Sequence, residues 1–132
     1  MQGKKPYQDD IQIKIGNLDF TFKMNDHHFT ETMKKAEVAE HKVKKLVSQY
    51  QTNAIKENEF FDKANKELES IFDLMLGVGT YKQLYEQTPS VFTLANIYVQ
   101  VTEDIKKEAI KKKNRQIKNR ERLMRKAKKR RS

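Results

Sequence analysis

Two of the four glycines, Gly77 and Gly79, lie in "LMLGVGTYKQLYEQTPS" (74–90). Glycines at that spacing could cradle phosphate. The dinucleotide fingerprint, however, needs a third glycine three residues later, after a strand and at the opening of a helix. Lys82 holds that position, and the residues before Gly77 have the spacing of an amphipathic helix. The Walker pattern G-x-x-x-x-G-K-[ST] is missing from the chain. The glycines therefore read as helix punctuation, with Gly77 closing one helix in a left-handed conformation and Gly79-Thr80 starting the next. His27, His28 and His41 are the only histidines. Adjacent residues on a helix point about 100° apart, so His27 and His28 read as polar residues near a helix start and not as metal ligands. Glu57, Glu59 and Asp62 could supply an acid and a base, but in "KENEFFDKANKELE" they alternate with lysines, a pattern of solvated helix faces with i, i+4 ion pairs. Cysteine is absent, as is a glycine-flanked serine. These features point away from an enzyme and from any cofactor or metal.

Charge gives the strongest functional signal. Residues 106–132 carry 15 Lys and Arg against Glu108 and Glu121, a balance of +13, while residues 1–105 carry 13 bases against 16 acids, a balance of −3. A mildly acidic body thus bears a strongly basic tail, and the net +10 belongs to the tail. Lys111, Lys112, Lys113, Arg115, Lys118, Arg120, Arg122 and Arg125 are the candidate partner-binding residues. They could neutralise nucleic-acid phosphates through counterion release. The tail has no aromatic residue to stack on bases and no zipper behind it to make a basic-zipper region. They could equally dock an acidic protein along a helix, or merely keep the chain solvated.

The elements that must position these residues follow from hydrophobic periodicity. In "IQIKIGNLDFTFKM", Ile11, Ile13 and Ile15, then Leu18, Phe20, Phe22 and Met24, alternate with polar residues around Gly16-Asn17. That predicts a hairpin with a two-residue primed turn, pairing Ile15 with Leu18, Ile13 with Phe20 and Ile11 with Phe22. An isolated hairpin is marginal in water, so helices must cover it. Met33, Ala36, Ala39, Val43, Leu46, Val47 and Tyr50 predict a helix over roughly 30–52, with Thr30 or Asp26 as its cap. The polar "QTNAIKEN", with Asn53 and Asn58, is expected to break it, a continuous helix being the alternative. A second stripe, Phe60, Phe61, Ala64, Leu68, Ile71, Phe72 and Met75, predicts a helix over 57–76. Tyr81, Leu84 and Tyr85 mark a short helix from Thr80, and Thr88-Pro89-Ser90 separates it from a last helix that Ser90 can cap. Val91, Leu94, Ala95, Tyr98, Val101 and Ile105 form the buried stripe of that helix. Beyond it, only Ile110, Ile117 and Met124, seven apart, continue an apolar seam.

The predicted fold is mainly α (α+β): an N-terminal β-hairpin packed on a small helical bundle, with a long basic C-terminal helix or disordered tail. Residues 1–10 form a flexible N-terminus, 11–105 the hairpin and helical domain, and 106–132 the basic extension. Apolar residues at 36% and charged residues at 35% suit one small core with part of the chain projecting. No run reaches the ~18 apolar residues of a membrane span, and the N-terminus has no secretory pattern. A location inside the producing cell is expected.

"IFDLMLGVGTYKQLYEQTPSVFTLANIYVQV" (71–101) resembles a segment of the tail assembly chaperone-like proteins of long-tailed phages or prophages of Gram-positive bacteria. The matching residues are Phe72, Asp73, Leu76, Gly77, Gly79, Thr80, Tyr81, Leu84, Tyr85, Thr88 and Pro89. The hairpin with its Gly-Asn turn and "FTETMKKAEVAEHKV" are similar to the family's start, so the resemblance spans residues 11 to about 105 and leaves out the basic tail. It implies a non-enzymatic protein that holds the tape measure protein soluble, recruits tail tube protein and acts in the bacterial host cytoplasm. A hairpin edge would also permit self-association. The alternative expectation is a small nucleic-acid-binding or regulatory protein that uses the basic helix.

Overall fold

Ile11, Ile13, Ile15 and Phe22 turn to the core, with Leu18 and Phe20 half-buried on the same side, while Gln12, Lys14, Asp19 and Thr21 stay wet. This alternation fixes the register of strands β1 (Ile11–Ile15) and β2 (Leu18–Phe22), which pair antiparallel as Ile11↔Phe22, Ile13↔Phe20 and Ile15↔Leu18. The expected pairing holds at every position. Gly16 takes φ +62° and Asn17 has no positive φ, as in a II′ turn with glycine at its first central position. The computed structural model describes residues 10–131, with side chains through Lys126. The expected flexible N-terminus lies outside the described residues up to residue 9.

Helix α1 (Asp26–Gln51) starts earlier than its apolar stripe suggests. Neither Thr30 nor Asp26 caps it. Asn25 does, in extended conformation, with its Oδ1 accepting from the His28 amide at 2.8 Å. Asp26 is already helical and adds a negative charge to the first turn, where the helix dipole favours it. The helix ends at Thr52, followed by Asn53 in the left-handed region at φ +61°. The polar segment thus does break the chain. Helices α2 (Glu57–Leu76), α3 (Thr80–Gln87) and α4 (Val91–Arg131) follow. Ser90 stands before α4 with its Oγ 3.3 Å from the Thr93 amide.

The protein is thus mainly α, with its N-terminal hairpin laid on four helices. β2 packs against α2 and β1 against α4, while α1 and α2 form the tightest helix pair. The core contains Phe22, Phe60, Leu68, Phe72, Leu94, Tyr98 and Ile105, all but closed to solvent. Small residues on α1, namely Thr32, Ala36 and Ala39, are buried there too and leave room for Tyr98. The Tyr98 hydroxyl donates to the Ala36 carbonyl, tying α4 to α1. All three buried threonines are satisfied: Thr80 Oγ1 donates to the Gly77 carbonyl at 2.7 Å, Thr102 Oγ1 to the Tyr98 carbonyl at 2.9 Å, and Thr32 Oγ1 lies 3.4 Å from His28 Nδ1.

Helix α4 runs unbroken for 41 residues, about 60 Å at the usual rise. Its packing continues past Ile105 to the buried Ala109. The C-terminal extension therefore takes the helical form of the two expected, growing directly out of a packed helix that spares it the cost of nucleation.

Candidate functional site

The glycine stretch forms a corner between α2 and α3. Gly77 has φ +110° and ψ 151°, so it is not left-handed helical as expected; Gly79, at φ +92° and ψ −6°, is the left-handed residue and caps α3. The reason lies in Asp73, whose Oδ1 accepts from the Tyr81 amide at 3.0 Å. An acceptor from the last turn of α2 thus serves the first turn of α3, and the chain must turn sharply at both glycines to reach it. The Tyr81 hydroxyl donates to Asn65 Oδ1. Burial, then the neighbouring Tyr85 and Glu69, raise the Tyr81 phenol's pKa well above the ordinary tyrosine value. Tyr81 is a structural anchor of this corner.

The other chemistry-bearing residues take equally structural places. Glu59 pairs with Lys63 at 2.7 Å, Glu40 with Lys44 at 3.1 Å and Glu31 with Lys35 at 3.5 Å, all on exposed helix faces. Glu57 accepts from the Tyr50 hydroxyl at 2.9 Å. His28 lies half-buried with its ring 4.7 Å from that of Phe22, whereas His27 and His41 are exposed. Among the described residues, no three His, Cys, Asp or Glu gather as metal ligands, and no helix is long and apolar enough to cross a membrane.

Helix α4 sorts seven of the eight candidate cations onto two faces, with Lys112 between them. At 3.6 residues per turn, Lys111, Arg115, Lys118, Arg122 and Arg125 share one face. Lys113 and Arg120 fall on another, beside Ile117 and Met124, and these four line a cleft of about 570 Å³ closed on its far side by Asp26 and Thr30 of α1. Lys113 Nζ stands 5.0 Å from the centroid of the Phe29 ring, pinning the start of the arm to α1. Lys112 is half-buried, and Lys111 lies 3.8 Å from Glu108. Arg115, Lys118, Arg120, Arg122 and Arg125 are exposed.

The apolar seam stays uncovered. Ile110 is 59% exposed, Ile117 56% and Met124 61%, although each points to the same side of the helix. Spacing alone revealed this seam. The Lys113–Phe29 contact and the wall supplied by α1 have no sequence signal, because they join residues far apart in the chain.

No protein-family model matches the chain, and neither a curated protein nor a solved structure matches it.

Proposed function

We propose that the protein is a non-enzymatic assembly chaperone of a phage tail, which holds an amphipathic helical client, the tape measure protein, along the α4 arm and helps recruit tail tube protein. The observation that carries this reading is the uncovered seam of Ile110, Ile117 and Met124 on a helix rich in lysine and arginine. A helix that only tracked phosphates would gain nothing from an apolar row facing water. A helical client would bury that row and set acidic side chains against Lys113 and Arg120, as in helix-in-groove recognition. The resemblance of residues 11–105 to tail assembly chaperones supplies the client's identity. The segment that carries it forms the α2–α3–α4 corner, so its role here is to set the angle at which α4 leaves the body.

Co-expression tests the reading. A tape measure protein of a long-tailed phage of Gram-positive bacteria should be insoluble alone and soluble when the full chain is present. Duplex DNA binding that is tight, steeply salt-dependent and indifferent to the seam would instead favour the nucleic-acid alternative.

A further inference from the structure

The hairpin has an open edge, and the edge has a defined chemistry. Ile15 and Leu18 flank the two-residue turn, so they exchange backbone hydrogen bonds, as do Ile13 with Phe20 and Ile11 with Phe22. The amides and carbonyls of Gln12 and Lys14 therefore point away from β2. They face a groove of about 520 Å³ between β1 and α4, walled by Ile97, Gln100, Asp104, Lys107 and Lys111. β1 runs antiparallel to α4. Its turn end lies where Gln87, just before α4, bonds to Asn17. Its other end pairs with Phe22, whose ring meets Phe29 beneath Lys113.

We propose that a second copy of this chain docks on this edge, β1 against β1, in an antiparallel pair centred on Ile13. In that register Gln12 lies opposite Lys14 of the second copy, and Lys14 opposite its Gln12, so every outward amide and carbonyl of both strands finds a partner. No like charges face each other across the strands. Beneath the joined sheet the two α4 helices run antiparallel, which places Asp104 beside Lys107 of the second copy and Lys107 beside its Asp104.

Charge selects this occupant. The flank of α4 that lines the groove alternates, with Asp104 and Glu108 against Lys107 and Lys111, so it complements itself. The arm beyond is strongly cationic, and two parallel arms would repel. Antiparallel α4 helices send their arms to opposite ends of the dimer. The contact closes on a two-fold axis and covers a strand edge that would otherwise template open-ended pairing. It does not depend on the client proposed above.

Sedimentation equilibrium of the full chain at concentrations on the order of 100 μM should give twice the 15.7 kDa chain mass. Lys14→Pro removes an outward amide that β2 does not use, and should weaken self-association at least about tenfold. Asp19→Pro makes the same change on the outer edge of β2 and should leave the dimer intact. Should Lys14→Pro unfold by circular dichroism, Asp104→Lys and Lys107→Asp provide the second test: each alone should weaken the dimer and the double variant should restore it. A monomer at this concentration would overturn the proposal. So would a dimer unaffected by a folded Lys14→Pro, an assembly lost with either proline, or a double charge variant that fails to recover.

Discussion

The Lys113 ammonium stands 5.0 Å from the centre of the Phe29 ring, joining the basic arm of α4 to the first turns of α1. The contact lies just beyond Ala109, the last buried residue of α4 among the described side chains. It sets where the arm stops being part of the body. Exposed cation–π contacts are worth about 0.5–1 kcal/mol, enough to hold one helical turn without holding the rest. Phe29→Leu should therefore speed amide exchange over residues 110–117 while leaving exchange in α2 unchanged. Hydrogen–deuterium exchange checks this residue by residue.

The bond from Tyr98 to the Ala36 carbonyl links α4 to α1 inside the core. Ala36 lies inside α1, so its carbonyl keeps its helical donor, and removing the hydroxyl costs one hydrogen bond, about 0.5–1.5 kcal/mol. Tyr98→Phe should lower the urea midpoint accordingly with no change in slope, since the surface exposed on unfolding stays the same.

Gly77 and Gly79 both have open space where a Cβ would go, so the cost of alanine at either is one of backbone conformation. The extended positive-φ geometry of Gly77 is essentially restricted to glycine, and Gly77→Ala should cost about 1–3 kcal/mol. Gly79→Ala, in the left-handed region, should cost about 1–2 kcal/mol. Thermal unfolding of the two variants measures the difference.

Alkaline pH should unfold the protein through its tyrosines. Burial, followed by the nearby Glu40, raises the Tyr98 phenol well above the ordinary value; burial, then Tyr85 and Glu69, does the same for Tyr81. A raised pKa means that the folded state holds its proton more tightly than the unfolded state. The stabilisation is fully present below the unfolded value of about 10 and is lost as pH rises above it. Phenolate absorbance of Tyr81 and Tyr98 should appear together with loss of helical circular dichroism, and Tyr98→Phe should remove its share of that absorbance.

Local rules made much of the fold legible. Strict alternation determines the hairpin register, because a slip of one residue would turn Ile11, Ile13 and Ile15 to water. The apolar stripes locate α1 to α4 in the same way. Two details escaped for a shared reason: several neighbouring residues had the right chemistry. Asn25, Asp26 and Thr30 can all cap a helix, and only the chain's path out of β2 selects Asn25. Gly77 and Gly79 can each adopt positive φ, and only the reach of Asp73 to the Tyr81 amide decides which is left-handed. The arm shows the opposite case. Its seam of Ile110, Ile117 and Met124 is plain in the spacing, while its anchoring by Phe29 and its cleft with Asp26 and Thr30 arise from non-local packing.

The central claim is that the Ile110–Ile117–Met124 face of α4 carries the client. The most direct measurement titrates the full chain, and the Ile117→Asp/Met124→Asp double variant, with amphipathic helical segments of a phage tape measure protein. The expected result is binding by the full chain that weakens at least about tenfold in the double variant, with circular dichroism and thermal stability unchanged because both side chains are more than half exposed. Equal binding by the two proteins, or no binding by either, would contradict it.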